Sequence, residues 1–447
     1  MEIPARHVRK GDCIIRDVVP GGRVLVFVDY PDLGLTHRPA CLDELVDRRT
    51  GGPISLDAPP PREAPPAAAS AVPPWQQARQ TLLALRLGQP TFESVNELSV
   101  GLEEVKDACK WAIARAQTGQ ISFLVFESPY GMGKSHALGY LKIRAREAAM
   151  ATGSVVLDGM GVSLCLPISL IGALAHAIEY PEATASDGLP QRLAGLVLHR
   201  EADKLSVAGA ELLHGALENL QAEHVEDPDR WEVIEDYLSL ERSASEVGRH
   251  LGVRVGALRA HLREARPVRS ADLLREWAQA CTVTGARGGL TVLFDEADVD
   301  YGQRGRTRGE IDQRTGLLQA LRRSADGGPR GGSYGRLVVA MGITPGAGEQ
   351  ASIEELRNAL GLHELKKELG LHLRVVRLRE LTVGELRELG WKTVQLYQRA
   401  YGIDGVQEAR LGIILERGVR RMERALGGHN PRSFIRHLLE ELDVLYG

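Results

Sequence analysis

At 447 residues the chain exceeds one ordinary domain, and two or three are expected. Its 55 Lys and Arg nearly balance 59 Asp and Glu, a formal charge of −4, which excludes a uniformly basic nucleic-acid coat and an acidic tail protein but not a local basic patch. Hydrophobic residues, at 43%, suffice to bury real cores, and because 46 of the 55 cations are Arg no single arginine is informative alone.

The opening MEIPARHVRKGD has no apolar signal-peptide core. Residues 1–56 predict a small β-rich module, a barrel or meander, with CIIRDVV and RVLVFVDY flanking the turn signal Pro20-Gly21-Gly22. Residues 57–76 predict a Pro/Ala-rich linker. Seven of the 18 residues from Asp57 to Pro74 are proline, which favours extended polyproline II over a packed element.

Residues 77–382 predict an α/β core. Helices are expected over 75–87 and 101–118, then a strand at Ile121–Phe126, a glycine-rich turn and a helix from Lys134. A strand at Val155–Leu157 and a mostly helical stretch over 168–240 follow. Strands at Leu290–Phe294, Leu337–Ile343 and Leu371–Leu378 come next, and residues 383–447 predict a helical, lid-like end. Such alternation specifies a mostly parallel sheet covered on both faces, with a helical insertion at about 185–270. Met160–Ile178 is apolar enough to suggest a membrane span, but it contains Ser163, Pro167, Ser169 and His176; a strand end followed by a buried helix fits better. Cys13, Cys41, Cys109, Cys165 and Cys281 are scattered, with no C-x-x-C pair. A reduced, cytoplasmic protein without a membrane partner is expected.

The strongest chemical signal is Glu127-Ser128-Pro129-Tyr130-Gly131-Met132-Gly133-Lys134-Ser135-His136. The phosphate-loop pattern G-x-x-x-x-G-K-[ST] fits at Gly133, Lys134 and Ser135, with Ser128 in place of its first glycine. Gly131 and Gly133 let the backbone aim N–H groups at phosphate oxygens, and the following helix adds its positive end. Residues 128–136 are therefore the candidate ATP-binding loop. Lys134 would neutralise the β- and γ-phosphates, and the Ser135 hydroxyl would hold Mg²⁺. The second signal is Gly289-Leu290-Thr291-Val292-Leu293-Phe294-Asp295-Glu296, an apolar strand ending in acids. Asp295 is the candidate metal-shell carboxylate and Glu296 the candidate base that polarises water. Asp295-Glu296-Ala297-Asp298 also spells the DEAD-box tetrad, but the 150 or so residues that follow leave little room for a second RecA-like lobe. Ala297 and Asp298 are accordingly taken as ordinary residues.

Thr344, at the end of Leu337–Ile343, is either a polar sensor beside the γ-phosphate or a turn filler. Arg432, in Gly428-His429-Asn430-Pro431-Arg432, is either a nucleotide-contacting lid residue or an exposed arginine at a helix start. Arg304, Arg306, Arg308 and Arg314 suit a solvated loop, a DNA contact, or a finger reaching the phosphate of a neighbouring copy in a homo-oligomer. Residues 243–265 have helix-turn-helix spacing. Val247 and Leu251 point inward, Gly248 permits close helix approach, Gly252 turns the chain, and Val253, Leu258 and Leu262 pack a second helix. Arg254, Arg259, His261 and Arg263 would then reach phosphates or bases of DNA; the alternative is a plain helical hairpin.

Several of these segments together resemble the P-loop ATPases of bacterial BREX phage-defence systems, the BrxD-like family. Those carrying the resemblance are ARQTLLALRLG at Ala78–Gly88, Val100-Gly101-Leu102-Glu103-Glu104, the Tyr130-Gly131-x-Gly-Lys-Ser loop, the strand ending in Asp295-Glu296, Gly342-Ile343-Thr344-Pro345, and Asn-Pro-Arg-Ser-Phe-Ile from Asn430. The resemblance spans about residues 77–446. Ser128 departs from that family's glycine, and residues 1–56 with the linker look like an addition. It implies an AAA+-like or ORC-like fold, ATP and Mg²⁺ use, antiviral defence, and work on DNA beside partners such as a helicase. A nucleotide-gated switch with little turnover and a replication-initiator-like loader are the alternatives.

Overall fold

The computed structural model describes residues 73–181, 188–256, 258, 266–302, 307–325, 336–344, 373–403, 408–424 and 430–446, together with the backbone of five strands in the first 47 residues. The chain divides into two compact units, Met1–Ala71 and Val72–Gly447.

The first unit contains β1 (Ile3–His7), β2 (Gly11–Val19), β3 (Leu25–Tyr30), β4 (Leu35–Cys41) and β5 (Leu45–Asp47). They form one antiparallel sheet in the order β4-β3-β2-β1-β5. The expected strand pair around Pro20-Gly21-Gly22 is thus β2–β3, within a four-strand meander whose far edge takes β5.

The second unit opens with α1 (Pro74–Arg86), which begins inside the stretch expected to be linker; Pro74 suits a first helical turn because its missing N–H has no intrahelical partner there. Next come α2 (Phe92–Leu98), α3 (Glu103–Gln117), β6 (Ile121–Glu127), α4 (Lys134–Glu147) and β7 (Met150–Val156). β7 starts five residues before the expected strand. The segment weighed as a membrane span is instead a loop leading to α5 (Pro167–Ala177) and the two-residue strand β8 (Ile178–Glu179). Among the described residues no helix is long and apolar enough to cross a membrane.

The insertion contains α6 (Leu189–Leu198), α7 (Asp203–Val207), α8 (Glu211–Leu217), α9 (Ala222–Glu226), α10 (Pro228–Leu238) and α11 (Ala244–Leu251). α12 (Arg266–Val283) leads back to β9 (Gly289–Asp295); α13 (Val299–Gly302), α14 (Arg308–Ala325), β10 (Leu337–Ile343) and β11 (Leu373–Arg377) follow. The helical end consists of α15 (Val383–Tyr401), α16 (Glu408–Arg424) and α17 (Pro431–Tyr446).

The six-stranded sheet runs β11-β6-β10-β9-β7-β8, parallel throughout except for the antiparallel edge β8. Alternation along the strands assigns its two faces. Ile121, Phe123, Val125, Leu337, Val339, Met341, Leu290, Val292 and Phe294 join the core shared with the insertion, α12 and α14. Leu124, Phe126, Val338, Ala340 and Leu293 join the core under α3 and α4. Burial on both faces explains why these strands read as unbroken apolar runs. A third core packs α1 against α15, α16 and α17.

Candidate functional site

β10 lies between β6 and β9, so the carboxyl ends of three adjacent parallel strands deliver the phosphate-loop pattern, Thr344 and the acidic turn to one edge of the sheet. In open α/β sheets, ligands bind in the crevice beyond those ends. A cleft of about 1410 Å³ opens there. Its lining includes Tyr130–His136, Asp295, Glu296, Asp298, Thr344 and Arg432.

Between β6 and α4 the loop turns on Gly131, at φ +82°, and Gly133, at φ +101°, both in the left-handed region open to glycine. Gly133 is the N-cap of α4 and no side chain caps that end, which leaves first-turn N–H groups available to an anion. Ser128 is buried, its N–H donates to the Ile343 carbonyl at 3.2 Å, and its hydroxyl donates to the Pro129 carbonyl at 3.3 Å. A hydroxymethyl group is thus accommodated where the pattern has glycine. Lys134 is only 8% exposed, and its Nζ donates to the Ser128 carbonyl at 3.1 Å. Burial lowers its pKa, opposed by Asp298, Asp295 and Glu296 in that order. Ser135 and Asp295 line the same cleft.

His136 lines the cleft with one ring nitrogen already engaged. Its Nε2 lies 2.9 Å from the Ser99 hydroxyl, which itself donates to the Val95 carbonyl at 2.5 Å. The Ser99 proton is therefore committed, and His136 must be the donor. Burial pushes the imidazole down to about 4, keeping it neutral at pH 7.

The acidic turn is strained. Glu296 sits at φ +54°, a conformation that costs a non-glycine residue about 1 kcal/mol or more. Its N–H donates to Asp295 Oδ1 at 2.9 Å, and the Ala297 N–H donates to the Gly342 carbonyl at 3.0 Å. Asp298, taken from sequence as ordinary, belongs to the site: its Oδ1 accepts the Thr344 N–H at 3.0 Å. No local pattern announces that bond, because its partner follows a different strand. Gly342 also serves this geometry, since a Cβ there would lie 3.0 Å from Asp295 Oδ1.

Arg432 reaches the cleft from the start of α17. Its guanidinium lies 5.0 Å from the Tyr130 ring centroid, donates to the Tyr130 hydroxyl, and donates to the Leu87 carbonyl at 3.0 Å. Asn430, in the same helix-start segment but given no role from sequence, donates from Nδ2 to the Tyr130 carbonyl at 3.1 Å.

The arginines after the acidic turn separate. Arg304 and Arg306 lie outside the described residues. Arg308 is exposed at the start of α14, whereas Arg314 is buried and donates to the Asp300 carbonyl at 2.8 Å, so it is not part of a solvated loop. In the expected helix-turn-helix, α11 is capped by Ser243 and Glu246 and ends on Gly252 at φ +72°. Val247, Leu251, Val255 and Leu258 are buried. A Cβ on Gly248 would approach the Val253 carbonyl to 2.8 Å, so this glycine admits the returning turn. Arg254 is exposed; Arg259, Leu262, His261 and Arg263 lie outside the described residues.

No protein-family model matches the chain, and neither does any curated protein.

Proposed function

We propose that this chain is an AAA+-like P-loop ATPase that couples nucleotide turnover to work on DNA beside partner proteins in a bacterial phage-defence system. The observation that supports the reading best is the convergence of Lys134, Asp295, Glu296 and Thr344 on one cleft from three adjacent strand ends. Having one strand between the loop-bearing strand and the acidic strand is what a sensor at Thr344 requires. The DNA and defence elements rest on the exposed Arg254 beside the capped turn and on the family resemblance.

The donor set suits the triphosphate and its metal. A nearly buried ammonium resting on a loop carbonyl can exchange that partner for phosphate oxygens, and a hydroxyl and a carboxylate lining the same cleft are hard ligands for Mg²⁺. When bound, Mg²⁺ would screen the charge of the β- and γ-phosphates. Lys134 and the loop N–H groups would hold the phosphate oxygens, Glu296 would take a proton from the attacking water, and Thr344 would contact the γ-phosphate.

The reading is tested by measuring ATP binding and hydrolysis on two variants. Lys134→Ala is expected to weaken ATP binding at least about tenfold; Glu296→Gln is expected to bind ATP normally while turnover falls about a hundredfold. Unchanged binding in Lys134→Ala would remove the assignment. A nucleotide-gated switch is favoured by one feature, the Asn430 and Arg432 contacts laid across the loop. It would be the better account if wild-type protein binds ATP tightly but does not turn it over, with or without duplex DNA.

A further inference from the structure

Three hydrogen bonds join the end of β10 to its neighbours. The Ile343 carbonyl accepts from Ser128 of the phosphate loop at 3.2 Å, the Gly342 carbonyl accepts from Ala297 at 3.0 Å, and the Thr344 N–H donates to Asp298 Oδ1 at 3.0 Å. The first two are main-chain bonds that many sequences could make. The third depends on a side chain of the right length and chemistry at position 298.

That bond closes the turn Asp295–Asp298 from its far end. From the near end, Asp295 Oδ1 holds the Glu296 N–H at 2.9 Å. Glu296 lies between the two anchors in the left-handed conformation, which a glutamate abandons unless its flanks are fixed. Main-chain bonds also hold the turn, from the Ala297 N–H to the Gly342 carbonyl and from the Val299 N–H to the Glu296 carbonyl, each at 3.0 Å, and Asp298 adds a side-chain tether to Thr344 beside the exposed Glu296 carboxylate. Thr344 is held by the same bond, at its backbone rather than its side chain, so its hydroxyl remains available to the cleft.

We infer that Asp298 is a positioning residue for the reaction proposed above: by accepting the Thr344 N–H it sets Glu296 and Thr344 at a fixed separation across the cleft. The inference rests on the ATPase reading for its catalytic consequence, but not for the tether. The role belongs to the carboxylate as an acceptor rather than as a charge. An amide oxygen can replace it; a methyl group cannot.

Asp298→Asn and Asp298→Ala, each in the full chain, separate these properties. Two measurements are made: steady-state ATP hydrolysis, and backbone hydrogen exchange of the 337–344 segment without nucleotide. In Asp298→Ala, kcat is expected to fall about tenfold or more with KM for ATP changed less than about twofold, and exchange at Thr344 is expected to quicken about tenfold. Asp298→Asn is expected to recover kcat to within about threefold and to restore protection at Thr344. Equal losses in both variants would show that charge, acting on Lys134, is what matters, and would overturn the inference. So would unchanged exchange in Asp298→Ala, or a raised KM with kcat intact. If wild-type protein hydrolyses no ATP, the ATPase reading fails with it, while the exchange comparison still decides whether the tether exists. Should Asp298→Ala fail to fold, Asp298→Ser, too short to reach the Thr344 N–H, takes its place with the same expected outcomes.

Discussion

Glu276 on α12 shows how far one carboxyl can depart from its ordinary behaviour. It is buried, and its Oε2 accepts the N–H groups of Leu212 at 2.9 Å and Leu213 at 3.1 Å, at the first turn of α8. Burial outweighs those bonds and pushes the carboxyl up to about 7 from its ordinary 4.5. Between those values the folded chain holds a proton that the unfolded chain has released, so stability falls as pH rises through the window and levels off above 7. The full effect is on the order of 3 kcal/mol. Glu276→Gln removes the titration. Its melting temperature relative to wild type is expected to climb from pH 5 to about pH 7 and then level off in scanning calorimetry, and a constant difference across that range would refute the assignment. The residue scale is also where the sequence is most and least legible. Lys134, Asp295 and Glu296 sit in short local patterns, whereas Asp298 looked ordinary because its meaning lies in a bond to Thr344, across a strand boundary that no local spacing encodes.

At the scale of elements, the loop after β6 depends on α17. A Cβ added to Gly131 would overlap the Asn430 side chain, and φ there is +82°. Gly131→Ala therefore has two separable costs, a backbone cost of about 1 kcal/mol and a steric one. Combining it with Asn430→Gly is expected to return the steric part alone. The double variant should melt above Gly131→Ala but below Asn430→Gly, and strict additivity of the two single changes would show that the residues do not meet. Both ends of this contact were visible as motifs, one at the phosphate loop and one at a helix start. Their meeting was not, because 300 residues separate Tyr130 from Asn430. The same limit explains β8. Two residues after an apolar helix carry no period, and only pairing with Thr152 and Gly153 of β7 makes them a strand.

For the whole molecule, the division at Ala71 and Val72 gives each unit its own sheet. Chains starting at Val72 are expected to keep the melting temperature of the larger unit and the ATP binding proposed for it, read by calorimetry and titration; loss of either relative to the full chain would mean that residues 1–71 support the cleft. Alternation of strands and helices made the α/β class and the parallel sheet readable, since burial on both faces leaves a continuous apolar signature. The order of the strands was not readable. Nothing in Leu337–Ile343 says that it goes between β6 and β9 rather than at an edge.

That insertion has a consequence for synthesis. The nascent chain makes β6 first, and β7 and β9 can pair as soon as both exist, but β6 touches neither of them. Its two neighbours, β10 and β11, arrive only with residues 337–343 and 373–377. Until then Ile121–Glu127, a run with five apolar side chains, has both edges open to another chain, the condition under which β segments aggregate. Closing the central gap also brings the loop and the acids together for the first time. The step that ends the hazard is therefore the one that first makes the cleft, so a partly made chain can have neither the protection of the finished sheet nor help in folding from the proposed nucleotide.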